Sequence, residues 1–282
     1  MLNSKHIRRR FERSASGFDK ADFVHAATRD GLLARIEPLL IQAKTVVDLG
    51  AATGTANRLL NKRFPKARVI SIDIAHNMLQ EARKRRSWLA KTSFAQADAT
   101  ALPFANESID VIFCNQLLPW FENPDPVFRE VARVLTKGGV FAFATLGPDS
   151  LQELGRAWRQ VDDQAHVSRF PDMHDLGDGL VNAGLVDPVL DVDRLSITYK
   201  SIEALFRDLT ASGARNALQQ RHPALTGKQR FKAMTSALEE TAVNGDIVLD
   251  IELVFGHCWG AGPRMDAANY RIDATRIPLR RN

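Results

Sequence analysis

Cysteine is scarce in this chain of 282 residues, and its two cysteines, Cys114 and Cys258, lie in apolar segments without a CxxC pair. That pattern argues against a disulfide scaffold and a structural zinc site, and it suits a reducing compartment. No unbroken apolar run is long enough to cross a membrane, and the basic amino-terminal segment lacks the apolar stretch of a secretory signal. These absences predict a cytoplasmic protein without a structural metal.

Acidic residues are the minority among the charged ones, with 33 Asp and Glu against 38 Lys and Arg and a formal net charge of +5. The basic residues bunch in the runs HIRRR, RKRR and RIPLRR. Such runs are usually solvated faces, and the alternative is a docking surface for an acidic partner. Because no nucleic-acid motif with interleaved aromatic residues accompanies them, an acidic protein is favoured over a nucleic acid.

Short β-branched runs alternate with helical patterns between Thr45 and Leu146. The predicted strands are TVVDLG, ARVISIDI, TSFAQADA, IDVIFCNQ and GVFAFATL, and the helices between them are TANRLLNKRF, AHNMLQEARKRRSWL and DPVFREVARVL. A later helix has Asp172 as its N-cap and Gly184 just past its end. Strands separated by helices of this length predict an α/β fold with a doubly wound parallel sheet.

The remaining segments complete a single domain that spans residues 1–282. Residues 1–44 are predicted to form a helical lid, with one helix between Thr28 and Ile41. The sheet core would occupy 45–200 and 246–259, where PVLDVDRLSITY and DIVLDIELVFGHCWG supply two further strands. We expect the helical insertion 201–245 to form a cap over the carboxyl edge of the sheet, and residues 260–282 to form a tail.

The segment VVDLGAATG follows directly after the first predicted strand, where open parallel sheets usually bind their ligands. The dinucleotide fingerprint G-x-G-x-x-G begins at Gly50 but fails at Ala52 and Thr55, which stand where it requires glycine. A loop that holds the pyrophosphate of NAD or FAD is therefore disfavoured.

The same segment resembles the first motif of class I S-adenosylmethionine-dependent methyltransferases, D/E-x-G-x-G-x-G. Asp48, Gly50 and Gly54 match that motif, and Ala52 departs from it. A helix that starts after this loop offers free N–H groups and a positive dipole end to the methionine carboxylate. The nearby acid suits the ammonium and sulfonium charges of the cofactor.

Later segments resemble further motifs of these methyltransferases in register. Asp73 lies 25 positions after Asp48, at the end of the second strand, where this fold places an acid against ribose hydroxyls. The resemblance implies S-adenosylmethionine as cofactor, with Ile74 against the adenine ring, Asp98 accepting from its amino group, and Asn115 to Leu117 near the methionine end. The cofactor-binding residues implied in this way are Asp48, Gly50, Ala52, Gly54, Asp73, Ile74, Asp98, Ala99 and Asn115.

A narrower resemblance extends from about Arg8 to Gly256, over IRRRFERSASGFDKADFVH, FATLGPDSLQELGRAW, VDDQAHVSRF, DMHDLGDGLVNAGLVDP and LFRDLTASGARN. These stretches are similar to the malonyl-[acyl-carrier protein] O-methyltransferases of biotin synthesis. That family implies methyl transfer from S-adenosylmethionine to the free carboxylate of a malonyl thioester on acyl carrier protein. A carboxylate is already nucleophilic near neutral pH, so no general base is required.

Catalysis of this kind would depend on alignment and on exclusion of water. A bidentate arginine is a natural carboxylate ligand, and we expect Arg169 to serve in that role, with His166 and Arg156 behind it. Trp120 and Phe18 are candidates for closing the site against solvent. Phe18 stands where many relatives carry a lid tyrosine, so no role of that hydroxyl transfers to this chain.

Acyl carrier protein is strongly acidic, and a basic rim would steer its approach. The predicted docking residues are Arg8, Arg9 and Arg10 in the lid and Arg215 and Arg221 in the cap.

Three alternatives remain open from the residues alone. HDLGDGLVNAG and CWG are compatible with a complex I assembly factor of the same superfamily that acts on a protein arginine. Ala52 motivates a non-catalytic scaffold that has lost its cofactor. A methyltransferase with a small-molecule substrate is the third alternative, because a fold does not determine its substrate.

Overall fold

The computed structural model describes residues 4–88, 90–215 and 226–262. The helices are α1 (Ser4–Ser14), α2 (Phe23–Ile36), α3 (Asn57–Arg63), α4 (His76–Lys84), α5 (Asp125–Val134), α6 (Gln152–Arg159), α7 (Met173–Ala183), α8 (Ile202–Ala211) and α9 (Lys228–Glu239). Short 3₁₀ turns lie at Phe18–Lys20 and Leu118–Trp120. The strands are β1 (Thr45–Leu49), β2 (Arg68–Asp73), β3 (Thr92–Gln96), β4 (Ile109–Asn115), β5 (Leu135–Leu146), β6 (Leu185–Tyr199) and β7 (Ile247–Gly260).

The seven strands form one sheet in the order β3-β2-β1-β4-β5-β7-β6. The first five strands run parallel, and β7 is antiparallel to both of its neighbours. The strand order reverses between β1 and β4, which is the place where open sheets of this class bind ligands. The predicted α/β class is confirmed, and the antiparallel β7 makes the complete sheet mixed.

Helices cover both faces of the sheet, because the strands are apolar on both sides. One face packs against α5 and α7, with Phe128, Val131 and Leu180 fully buried. The other face packs against α2 and α3, where Leu32 and Leu60 fill the core. Apolar residues spaced three and four apart give each helix the stripe that this packing requires.

Beyond the end of β5, the two last strands continue as a pair. β5 leaves β7 at the Leu146–Leu253 pair, whereas β6 and β7 stay paired as far as Tyr199 and Ile247. Helices α6, α8 and α9 pack against this extension in a separate apolar cluster that includes Trp158. The insertion between Tyr199 and Ile247 is helical in its described part, as predicted.

Boundaries differ from the sequence prediction mostly at the ends of helices. Asp172 caps α7 as predicted, accepting from the Asp175 amide at 2.8 Å. Helix α2 begins at Phe23 rather than near Thr28, and it ends at Ile36, shortly before Pro38, which lacks the N–H that a longer helix would need at that position. Among the described residues, no helix combines the length and the apolarity needed to span a membrane.

Candidate active site

A cleft lies at the carboxyl ends of β1, β2 and β4, beneath the amino-terminal helices. Its cavity volume is about 100 Å³, and its walls are mostly apolar with a few acidic and amide groups among them, as is usual for sites that bind small molecules. The predicted site residues that line it are Gly50, Ala52, Asp73, Ile74, Asp98, Ala99, Asn115, Phe18 and Trp120. The structure therefore brings most of the predicted cofactor residues to one cavity.

The turn after β1 is held in a left-handed backbone by two glycines. Gly50 has φ +77° and Gly54 has φ +74°, a conformation that costs glycine little. A Cβ at Gly50 would lie 3.0 Å from the Cβ of Leu117, on the cleft side. A Cβ at Gly54 would meet Ala82 of α4 at 2.8 Å, so Gly54 allows close helix packing and does not line the cleft.

Ala52 also has a positive φ, at +45°, which is strained for a residue with a Cβ. Its amide donates to Oδ2 of Asp73 at 2.9 Å, which holds the turn against the end of β2. Its side chain packs with Phe18 and Met78 in a cluster formed with the amino-terminal helices. The methyl group that departs from the motif is thus a contact between the turn and the segment above it.

Two acids, Asp48 fully buried and Asp73 partly buried, lie beneath this turn. Asp73 accepts from the amides of Ala52 and Ala75 at 2.9 and 2.8 Å, and burial raises the pKa of Asp73 to about 6 despite those bonds. Asp48 is 2% exposed, and its Oδ2 has no hydrogen-bond partner in the described part of the chain. Burial, with a contribution from the Asp73 charge, raises the pKa of Asp48 to about 7. A cationic ligand group nearby would favour the ionised form of both acids.

The opposite end of the cleft suits a flat, partly polar ring. Ile74 and Ala99 line it with apolar surface. Asp98 is exposed, and its Oδ1 accepts from the amide and hydroxyl of Thr100 at 2.9 and 2.8 Å. Its second carboxylate oxygen takes part in no hydrogen bond with the described residues and is available to an amino group.

The end of β4 contributes two amide side chains to the cleft. Asn115 donates from Nδ2 to the backbone oxygen of His25 at 2.9 Å, and its buried Oδ1 has no partner among the described residues. Gln116 has φ +57° and is 6% exposed, and its buried Nε2 is likewise unpartnered there. Buried polar groups rarely lack a hydrogen-bond partner, so both atoms are candidates to bind a ligand or a water molecule.

Aromatic rings close the cleft from the lid, by which we mean α1, the turn Phe18–Lys20 and α2. The rings of Phe11 and Trp120 meet edge to face at 4.9 Å between centroids. Phe18, which is 2% exposed, meets the ring of His25 in the same manner at 5.0 Å. These rings form an aromatic wall on the lid side of the cavity.

The lid is fastened to the first turn of α4 by a carboxylate. Glu12 of α1 accepts from the amides of His76 and Asn77, both at 2.8 Å. Helix α4 has no side-chain cap of its own, so the lid supplies one. Asp19 adds an ion pair with Arg85, the residue that directly follows the same helix.

Arg169 and His166 lie in a different groove, beside α6. His166 stacks on Trp158 at 3.8 Å between ring centroids, and its Nε2 lies 2.9 Å from Oδ1 of Asp162. Arg156 pairs with Glu153 on α6. The structure does not bring these three predicted substrate residues to the cleft. Arg156 lies on α6, and the stack of His166 on Trp158 together with the ion pair between Asp162 and Arg230 holds the loop against α6 and α9.

Sequence reasoning missed three residues that line or fasten the cleft. His25 lies on the part of α2 that precedes the predicted helix start. Phe11 and Glu12 belong to the basic run of α1, where the charge pattern suggested only a surface. An aromatic residue beside an acid within that run was the available signal.

Comparison with known proteins agrees with this geometry. Residues 47–143 match the family model described as a methyltransferase domain. The YcgJ protein of Bacillus subtilis has a similar fold, with a TM-score of 0.58 at 18% identity over 83% of this chain and 99% of that chain. Phosphoethanolamine N-methyltransferase 2 of Haemonchus contortus, in complex with S-adenosylmethionine, gives a TM-score of 0.55 at 16% identity over 88% of this chain and 57% of that one.

Curated sequences match over nearly the whole chain. The malonyl-[acyl-carrier protein] O-methyltransferase of Halorhodospira halophila is 39% identical, covering 99% of this chain and 97% of its own length. The enzyme of the same description from Xylella fastidiosa is also 39% identical, covering 100% and 98%. The cofactor is S-adenosylmethionine. Its chemistry fits the acids of the cleft, the apolar surface of Ile74 and Ala99, and the amide side chains of Asn115 and Gln116. The chain belongs to the malonyl-[acyl-carrier protein] O-methyltransferase family.

Proposed function

We propose that this protein methylates the free carboxylate of a malonyl group carried on acyl carrier protein, giving the malonyl methyl ester. The relatives that match it end to end are described by that activity. The observation that carries the proposal is the enclosed cleft, in which acids at the ends of neighbouring strands face an aromatic lid. The ester removes a charge, which would let enzymes that elongate acyl chains accept the malonyl group as a primer.

The reaction is a displacement at carbon. A carboxylate oxygen forms a bond to the methyl carbon as the bond from that carbon to sulfur breaks, and the sulfur leaves as a neutral thioether. S-Adenosylmethionine supplies the electrophilic methyl group when bound. No proton is transferred, so the cleft needs no general base.

The residues of this chain hold the reactants in position and exclude water from the cleft. Asp73 is placed to accept from ribose hydroxyls, and Asp98 from the adenine amino group. Phe11, Phe18 and Trp120 exclude water, which would otherwise solvate the carboxylate and lower its nucleophilicity. Two reactants held at a near-attack distance gain several kcal/mol over the bimolecular reaction, roughly 7–11 in well-oriented systems.

The approach of the acidic carrier is assigned to a basic rim at the mouth. Arg8 and Arg9 are exposed on α1, whose Ser4 and Ile7 line the cleft. Arg10 on the same helix donates to the backbone oxygen of Arg215, which joins the lid to the cap. Arg221, the remaining predicted docking residue, lies outside the described residues.

Incubation of the purified protein with malonyl-acyl carrier protein and methyl-labelled S-adenosylmethionine tests the proposed reaction. Label is expected on the malonyl carrier and not on acetyl-acyl carrier protein, which lacks the free carboxylate. Growth of a biotin auxotroph that lacks this methyl ester step would provide a second, cellular readout. Absence of label and of growth, together with measurable binding of S-adenosylmethionine by calorimetry, would assign the protein another substrate.

Reversing one rim charge tests the docking surface. R9E is expected to raise the KM for malonyl-acyl carrier protein severalfold, because rim charges govern encounter rates. The affinity for S-adenosylmethionine and the KM for malonyl-coenzyme A should stay unchanged, since neither involves the acidic carrier. K137E, at the opposite edge of the sheet, is the matched control. Equal KM values for R9E and K137E would exclude this face as the docking site.

A further inference from the structure

The cleft has a feature that a carboxylate-binding site would not be expected to have. The chain carries 38 Lys and Arg residues, yet no Lys or Arg lines the cleft within the described residues. A carboxylate that enters a closed apolar site must still receive hydrogen bonds, because burial without them is costly. The donors must then come from neutral side chains.

Gln116 is one such donor. Its Nε2 is buried and has no partner within the described residues, and the residue itself is more than nine-tenths buried. Its backbone is held at φ +57° by the bond from its own amide to the oxygen of Ala144, at 2.8 Å. A left-handed glutamine costs about 1–3 kcal/mol and persists where the surroundings force it, often at functional sites.

His25 is the second donor, on the lid side of the same cavity. Its backbone oxygen accepts from Asn115, the neighbour of Gln116, so the lid and the end of β4 are in direct contact there. The Nδ1 atom is buried without a partner among the described residues. Burial lowers the pKa of His25 to about 4, with a contribution from Arg29, so the ring is neutral and carries one N–H.

We infer that Gln116 and His25 bind the carboxylate of the malonyl group through neutral N–H donors, one from the floor of the cleft and one from the lid. The inference rests on the proposed function and names the residues that recognise its substrate. Neutral donors hold the carboxylate without neutralising it, so the attacking oxygen keeps its negative charge. They also replace the arginine clamp that the sequence suggested.

The main test is Q116E, which keeps the size of the side chain but replaces a neutral hydrogen-bond donor with an anion. The KM for malonyl-acyl carrier protein is expected to rise at least about tenfold, from loss of one hydrogen bond to a charged group and from repulsion. The inhibition constant of the uncharged methyl ester product should stay within about threefold. Q80E, on the exposed face of α4, is the matched control and should behave as the wild type.

Two variants guard against a merely structural effect. Q116N keeps an amide and tolerates a positive φ, and H25Q keeps a neutral donor, so both should retain more substrate affinity than Q116E and H25L respectively. The two variants of each pair are compared only if their thermal unfolding midpoints are equal. A rise in KM that follows donor loss supports the inference.

Other results would overturn it. If Q116E weakens binding of S-adenosylmethionine in calorimetry while the KM for the carrier is unchanged, Gln116 serves the carboxylate of the cofactor instead. If Q116E and H25L both keep the wild-type KM, neither residue binds the substrate. If the wild type itself leaves malonyl-acyl carrier protein unmethylated, the proposed function fails and this assignment fails with it.

Discussion

The two sides of the cleft are built in different ways. The floor is made of strand ends and the turn after β1, where backbone amides hold Asp73 from two directions. The lid is attached by side chains: edge-to-face rings, the carboxylate of Glu12 at the start of α4, and the ion pair between Asp19 and Arg85. Backbone contacts from a buried sheet give a preformed surface, and side-chain contacts from the amino terminus can open and close at modest cost.

This difference assigns separate tasks to the two sides. The floor should determine how tightly S-adenosylmethionine binds. The lid should determine how fast the cofactor enters and leaves, and how well water is excluded from the reacting groups. Substitutions in the floor are therefore expected to change equilibrium constants, and substitutions in the lid are expected to change rates.

The largest effect should follow D73N. We propose that the charge of Asp73 accepts from the ribose hydroxyls, and its loss is then expected to weaken S-adenosylmethionine binding by about 100-fold, since hydrogen bonds to charged groups contribute about 1.5–3 kcal/mol each. Calorimetry measures the change, and D149N, an exposed acid paired with Arg194, is the control. Wild-type affinity in D73N would remove Asp73 from the site.

A pH-dependent effect should follow from the buried acids. Their pKa values are about 7 for Asp48 and about 6 for Asp73 in the folded protein, against about 3.9 for an unfolded aspartate. The folded state binds more protons between pH 4 and 7, so the stability of the free protein contributed by these groups falls as pH rises through that window. Binding of the cationic cofactor should strengthen over the same window.

D48N should flatten both trends, because the amide does not titrate. Thermal midpoints with and without S-adenosylmethionine at pH 5 and pH 7.5 provide the measurement. D149N, which changes an exposed acid outside the cleft, is the control. The role of Asp48 would be refuted by D48N and wild-type curves that run parallel across the window.

A smaller effect is expected from the lid fastening. E12Q keeps one acceptor but loses the charge at the start of α4, where a helix cap is typically worth about 1 kcal/mol. S-Adenosylmethionine should dissociate about fivefold faster in stopped-flow experiments. The helix and strand content of the folded protein, measured by circular dichroism, should change little. R8Q, which removes a looser pair to the same carboxylate at 3.6 Å, should change the rate less. Equal rates for the wild type and E12Q would contradict the lid assignment.

The smallest effect concerns Ala52, where floor and lid touch. A52G releases the strain of φ +45° but loses a methyl contact with the Phe18 cluster and makes the unfolded chain more flexible. These contributions oppose each other, so the free energy of unfolding should stay within about 1 kcal/mol of the wild type in urea titrations. A75G, at a buried alanine with φ −93°, gains no strain relief and should lose more stability. Equal losses in both variants would show that Ala52 is not strained.

The floor was predictable from the sequence and the lid contacts were not. Strand ends in a parallel sheet must converge, so the spacing of Asp48, Asp73 and Asp98 was enough to gather them at one edge. Glu12 finds its partners 64 and 65 positions away on α4, a contact that no local pattern encodes. The departure at Ala52 was visible in the sequence, but its dihedral angle and its contact with Phe18 required coordinates.

The substrate side shows the same limit. An arginine was a reasonable partner for a carboxylate, and Arg169 lay in the right part of the chain. Its place was decided by neighbours that the sequence does not reveal, because the ring of His166 stacks on Trp158 and holds the loop beside α6. Gln116 lay within the segment that the resemblance associated with the methionine end of the cofactor, but its positive φ and its unpartnered Nε2 are properties of the folded turn within the described residues.

The continued pairing of β6 and β7 beyond β5 has an evolutionary consequence. The segment that contains α8 and α9 leaves the sheet at Tyr199 and returns at Ile247, and these two residues are paired between β6 and β7. A segment whose ends are already joined can change length at small entropic cost, about 0.6 kcal/mol per doubling. Natural selection could thus exchange one helical insertion for another at this junction, while the cleft at the carboxyl ends of β1, β2 and β4 is inherited unchanged.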